Sequence, residues 1–156
     1  TLVSIRDSEG LGIRLPKRSE WCYAAAGERS WPYAGSDLPE EVAWSAHNSG
    51  SKIRPVARLK HNDFGCYDLS GNVWEWSEEG SRDNEQEEVC VGDHHPKWLL
   101  GGSWANHPWV FPIGESLSEL PGYRDEFMGV RIARNLSDEE TSPAWFITEE
   151  PDEESS

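Results

Sequence analysis

Nine tryptophans are set among fourteen glycines and ten prolines in this chain, and that combination limits what it can fold into. Glycine loosens helices and strands, and proline removes a backbone donor and fixes φ, so long regular elements are excluded. The large rigid indoles still demand a core, which points to a loop-rich α+β fold with short antiparallel strands and one or two helices. One stretch reads as a helix: Pro16 opens it, Gly27 closes it, and Trp21, Ala24 and Ala25 fall on one face. Residues 38–46 form a second, weaker candidate. Beyond it, short apolar runs at 54–59, 64–69, 73–76, 98–104 and 129–133 read as strands separated by turn signals. Residues 78–88 are highly charged without periodicity, as a surface loop is, and no internal repeat is visible.

At 156 residues the chain has the size of one domain. Mean hydropathy is −0.72, and no apolar run approaches the ~18 residues that a spanning helix needs, so membrane insertion is not expected. The formal net charge of −15 argues against nucleic acid as a partner, because binding by counterion release needs cationic side chains. From Asn135 onward there are eight of the 29 acids and none of the 14 bases, leaving a net −7 on residues 1–134. The expected organisation is a folded domain over 1–134 and an acidic, solvated tail over 135–156, with Trp145, Phe146 and Ile147 able to dock back on the domain. Cys22, Cys66 and Cys90 are odd in number and widely spaced, which supports neither a zinc knuckle nor a complete disulfide framework. The chain starts without Met and without a basic-then-apolar segment, which fits either a removed targeting peptide or a trimmed chain and leaves localisation open.

Three blocks carry a resemblance. The first runs from Arg14 through Leu15-Pro16-Lys17-Arg18-Ser19-Glu20-Trp21 to Gly27, and the second from Asn62-Asp63-Phe64-Gly65 through Asp68-Leu69-Ser70-Gly71-Asn72-Val73-Trp74-Glu75-Trp76. The third is Leu100-Gly101-Gly102-Ser103-Trp104, followed later by Gly129-Val130-Arg131. Together they resemble the formylglycine-generating-enzyme, or sulfatase-modifying-factor, family over about residues 12–134, the family's C-terminal portion. The resemblance implies a C-type lectin-like fold. Lys17 stands where that family usually has a Thr cap, so the helix start is less well capped, although Glu20 keeps the place of a capping-box acid. Trp74 and Trp76 fall on one strand face, as core, with Glu75 on the other. Gly101-Gly102 permits close backbone approach.

The same resemblance argues against catalysis. The family's oxidases use two cysteines shortly after the third block to bind copper, and the matching positions here are about Asn106 and Phe111. Neither side chain supplies a thiolate. Related iron oxidases need a His-rich helical domain ahead of this fold, for which these residues hold no counterpart; His94, His95 and His107 could in principle gather a metal, yet adjacent histidines in a loop before Pro96 more often sit in solvent. No nucleophile elbow, His-Glu-x-x-His or P-loop is present. No catalytic cofactor is expected. The resemblance does imply one structural calcium site, at Asp68, Gly71, Val73 and Glu75, whose oxygen-only donor set suits a hard cation. The family's second calcium site draws on a longer loop than residues 45–55 provide.

Residues 105–128 depart furthest from the enzyme pattern. Trp109, Val110, Phe111, Pro112 and Ile113 follow one another there, either as core or as an exposed binding patch. A second resemblance, to variable proteins of diversity-generating retroelements, favours binding. Those proteins place mutable residues between a Gly-Gly-Ser-Trp-type start and a Gly-Phe-Arg-type end, matched here with Val130 in place of Phe. Their randomised codons cannot yield Trp, Met, Glu, Gln or Lys. Trp104, Trp109, Glu115, Glu119, Glu126 and Met128 would then be fixed, with Ala105, Asn106, His107, Val110, Phe111, Ile113, Tyr123, Asp125 and Phe127 open to variation. The ligand surface implied is the last nine together with Trp104 and Trp109. It would be displayed at a cell surface, on a virion or by secretion, toward a protein or surface ligand. Two alternatives stand beside it: a non-catalytic remnant of the enzyme family, and a fragment whose missing N-terminal part supplies the chemistry.

Overall fold

The computed structural model describes residues 12–80 and 95–136; the acidic tail beyond 136, most of the charged 78–88 stretch, Cys90 and His94 lie outside them. Strand β1 (Ile13–Arg14) pairs antiparallel with β6 (Ala133–Arg134), so the two ends of the described domain meet. Between them lies a four-stranded sheet in the order β4-β3-β2-β5, built from β2 (Trp74–Gly80), β3 (Lys97–Leu100), β4 (Ser116–Glu119) and β5 (Met128–Gly129). The β2–β3 and β3–β4 ladders are antiparallel, whereas β2 and β5 run parallel.

Helix α1 (Arg18–Ala26) forms where the sequence places it, with Trp21 and Ala25 buried. Its start is capped on one side: the Glu20 carboxylate accepts the Lys17 N–H at 2.8 Å, while the lysine side chain offers no oxygen in return. Arg14 grips the same carboxylate at 2.6 and 2.7 Å and, with the Lys17 N–H, holds its pKa down at about 2. Gly27, at φ 62°, ends the helix. The second helix, α2 (Pro39–Val42), is a single turn, shorter than expected because Ala43 is already extended and Trp44 bridges to Gly71.

Side-chain alternation on the sheet divides the core. Trp74, Trp76 and Leu99 pack with Val42, Ala43 and Phe111 in one buried cluster, while Leu100 joins Trp21, Ala25, Ala34 and Leu69 in the other. Register explains this split, since Trp76 opposes Leu99 and Glu75 opposes Leu100. Two glycines let backbone pass where a side chain would not fit. A Cβ on Gly71 (φ 75°) would strike the Trp44 carbonyl, and one on Gly102 (φ 79°) would enter the Phe111 ring.

Two expected strands are absent. Residues 54–59 give their backbone to side chains instead: Asn72 Oδ1 accepts the Arg54 N–H at 3.0 Å, and the Asp68 carboxylate accepts that of Ala57, which sits at φ 57°. Residues 64–69 likewise form a turn organised by Asn62, whose Oδ1 accepts the N–H groups of Phe64 and Cys66. Polar side chains here outcompete the ladder for backbone donors. The 129–133 run splits between β5 and β6, while β4 was not anticipated. The segment between β3 and β5 is anchored at both ends to neighbouring residues: the Trp104 N–H donates to the Asn72 carbonyl at 2.8 Å, and the Trp74 N–H donates to that of Phe127 at 2.7 Å.

Candidate functional site

The segment from Trp104 to Phe127 leaves the sheet, makes a 3-10 turn at Pro108–Val110, returns through β4 and comes back to β5. Its first turn is locked from within. Asn106 Oδ1 accepts from the Ser103 N–H and hydroxyl at 3.0 and 2.7 Å, and its carbonyl accepts the Ala46 N–H at 2.9 Å. Trp104 is half-buried, tilted against Phe127 at 5.1 Å, and Ser49 donates its hydroxyl to the Trp104 carbonyl.

From that base the aromatic side chains project. Trp109 is 67% exposed and lies parallel to the His107 ring at 4.2 Å. His47 meets both edge-on, with its Nε2 2.9 Å from His107 Nδ1. Ala105 and Val110 are exposed beside them. Further along, Tyr123 is 46% exposed, its hydroxyl donating to Asp125 at 3.2 Å, which raises the phenol's pKa.

Of the eleven residues expected to form a ligand surface, Ala105, His107, Trp109, Val110 and Tyr123 are exposed. Trp104, Asn106, Ile113, Asp125 and Phe127 are half-buried and partly committed to the scaffold. The Ile113 N–H bonds the Pro32 carbonyl and its side chain packs on the α1 cluster, while Phe127 packs on the tryptophan cluster. Phe111 departs from the expectation: at 1% exposure it is core, because Gly102 has no side chain and the ring fills that space. Sequence reasoning missed His47, whose only signal was its position in the 45–55 loop that Asn106 and Trp104 tie down.

A second feature lies at Glu75. This carboxylate, 5% exposed, accepts from Trp21 Nε1 at 2.6 Å, Arg131 Nε at 2.9 Å and an Arg131 terminal nitrogen at 2.8 Å. Arg131 also donates to the Tyr67 carbonyl. Burial pushes the Glu75 carboxyl up, Arg131 and the indole N–H oppose that, and the nearby Asp68 charge adds to the rise. Asp68, Val73, Glu75 and Arg131 all line one cleft of about 480 Å³. Three of the four residues implied for calcium thus share a cavity, and Gly71 lies buried against Trp44. Two carboxylates close enough to repel each other are a setting that a hard cation relieves, with Arg131 as its internal competitor. Among the described residues no three His, Cys, Asp or Glu side chains gather around one point, so carbonyl oxygens would have to complete such a shell.

Cys22 and Cys66 are free and half-buried, and burial pushes the Cys22 thiol up, away from a reactive thiolate. Asn106 and Phe111 hold structural positions.

A family model described as Sulfatase-modifying factor enzyme 1-like domain matches residues 6–136. Among curated relatives, the "Chaperone protein LppX" of Paenibacillus barcinonensis is 35% identical, covering 61% of this chain and 39% of its own length. The "Inactive C-alpha-formylglycine-generating enzyme 2" of Bos taurus is 31% identical, covering 78% of this chain and 44% of its own. Among solved structures, Treponema denticola variable protein 1 superposes with a TM-score of 0.69 at 32% identity, over 78% of this chain and 47% of that protein. The chain therefore spans less than half the length of each of these relatives.

Proposed function

The chain belongs to the family of sulfatase-modifying factor enzyme 1-like domains, with that family's α+β C-type lectin-like fold, and on that premise we propose that it is a non-catalytic, ligand-binding member of the variable-protein kind. The observation that carries the reading is the exposed His107–Trp109 stack, raised on a turn whose neighbours Asn106 and Phe111 are built into the scaffold. An aromatic patch held rigid from below loses little entropy on binding. Asn106 and Phe111, at about the positions that the resemblance matches to the oxidases' cysteines, serve backbone bonding and packing here, and the similarity to a protein described as an inactive formylglycine-generating enzyme supports the same reading. A macromolecular or surface ligand fits an exposed aromatic patch, and display outside the cell fits such a role.

Two measurements test this. No turnover of a Cys-containing sulfatase peptide with added copper(I) is expected; thiol oxidation would overturn the non-catalytic reading. In the source genome, a near-identical repeat of the 105–127 coding segment, differing at adenines and lying near a reverse transcriptase, is expected. Its absence favours the second reading, a non-catalytic remnant, which the similarity to the inactive Bos taurus protein supports.

Replacing Ala105, His107, Trp109, Val110 and Tyr123 together with Ser should leave the melting temperature within a few degrees of the parent while removing ligand binding. Exposed substitutions move stability by only about ±0.5 kcal/mol each. Loss of cooperative melting would show that the patch is structural.

We also propose that the Asp68–Glu75 cleft takes a structural calcium ion, an assignment supported by the shared cleft and the charge repulsion within it. Calcium at a hundredfold excess over Kd should then stabilise the domain by about 2.7 kcal/mol. Asp68→Asn should blunt that rise, and a melting temperature indifferent to calcium and chelator would remove the site.

A further inference from the structure

The histidine pair beside the aromatic patch has a chemistry that ligand binding does not require. We propose that His47 and His107 form a surface site for a divalent late transition-metal ion of the nickel or copper(II) type, with water completing its coordination. The two residues come from loops far apart in sequence, yet their ring nitrogens stand 2.9 Å apart. Both loops are fixed by the chain itself. The Ala46 N–H to Asn106 carbonyl bond, 2.9 Å long, ties together the residues immediately before each histidine. Asn48 holds the His47 loop from inside, accepting the Ser45 N–H and donating to the Ala43 carbonyl. Trp109 stacks on one ring and abuts the other, which narrows the positions that either can take. Preorganisation of this kind is what a two-residue chelate needs to compete with free water.

Donor chemistry selects the type of ion. Imidazole nitrogen is a good donor to nickel and copper(II), affinity for such a site rises through nickel to copper(II), and both ions accept water in their remaining positions. In the neutral pair one facing nitrogen carries the proton that the other accepts. On metal binding that proton moves through solvent to the outer nitrogen of the same ring, so both facing lone pairs become free with no net proton released. Both histidines are exposed, so the rings can turn about their own side-chain bonds to converge on the ion. The net charge of −15 raises the local concentration of cations. Among the described residues no third His, Cys, Asp or Glu joins the pair, so the remaining positions go to water.

The test uses the full chain without a histidine tag, titrated separately with Ni2+ and Cu2+. Saturable quenching of tryptophan fluorescence is expected, because a paramagnetic ion at His107 lies against the stacked Trp109 ring. The copper(II) resonance spectrum should show two nitrogen ligands. His47→Ala and His107→Ala should each weaken binding by at least about tenfold and leave one nitrogen in the spectrum. His61→Ala and His95→Ala should bind as the parent does. Trp109→Phe should lose the quenching yet keep the two-nitrogen signal. A parent chain without a saturable phase overturns the proposal, as does either histidine variant with the parent's curve. If an alanine variant melts early, the glutamine variant at that position replaces it and is judged by the same criteria.

Discussion

Glu75→Ala should lower the free energy of unfolding by about 3 kcal/mol, the lower end of what breaking a buried ion pair costs, because Glu75 is buried while the Arg131 side chain is 31% exposed. The change strips three donors of one acceptor: the Trp21 indole N–H and two nitrogens of Arg131. Trp21 is buried and cannot turn to water for a replacement. Arg131→Ala should cost a similar amount by the opposite route, leaving a buried carboxylate without its counter-charge. Its pH dependence follows from the direction of the Glu75 shift. Burial already raises the carboxyl, and without Arg131 it rises further. A raised folded-state pKa favours the protonated side chain, so Arg131→Ala should lose least stability below the unfolded carboxyl pKa and progressively more as pH climbs through the raised folded value. Urea unfolding followed by tryptophan fluorescence across that range checks both variants. Losses below 1 kcal/mol would mean that the pair is an ordinary surface contact.

Phe111→Ala is the second large effect expected, at about 3–5 kcal/mol, with Trp109→Ala two residues away costing no more than about 0.5 kcal/mol. The contrast decides which residues of this segment are scaffold and which are display. Phe111 packs with Trp74, Trp76, Val42, Ala43 and Leu99 and fills the space over Gly102, so truncating it opens a cavity in that cluster. Trp76→Ala should cost as much, from the same cluster. Guanidinium denaturation midpoints for the three variants give the comparison. Equal stability for the Phe111 and Trp109 variants would return Phe111 to the exposed surface.

How much of this was legible in the sequence depended on whether the signal was local. Pro16, Gly27 and the Trp21–Ala25 spacing fix α1 because a helix is specified by residues within one turn of each other. The Trp74-Glu75-Trp76 alternation identifies β2 and its two faces for the same reason. The 54–59 and 64–69 runs misled because their apolar content suggests strands, whereas Asn72, Asp68 and Asn62, outside or within them, take the backbone donors. Strand β4 has three polar residues of four, and its one apolar side chain, Leu117, is exposed, so it is defined by pairing with β3 and not by its own pattern. The candidate site divides along the same line. The flanking Gly-Gly-Ser-Trp and Gly-Val-Arg blocks delimit the segment that holds Trp109 and Tyr123 without telling their exposure, and Arg131 and His47 acquire their roles only from partners 56 and 60 residues distant. The sequence leaves Phe111 open between core and display because nothing near it reveals that Gly102 leaves room for its ring.

The two backbone bonds that hold Trp104 to Asn72 and Phe127 to Trp74 have a consequence for how this domain can change. The exit and the return of the intervening segment are fastened two residues apart, at Asn72 and at Trp74 of β2, so the span between its ends is set by the scaffold. Doubling the length of a flexible stretch with fixed ends costs only about 0.6 kcal/mol. Around Gly122, where a new side chain would meet open space, residues can therefore be added or removed as well as exchanged. Length is therefore free only at such an exposed turn, while Phe111, Ile113 and the β4–β3 ladder keep the rest of the segment in place.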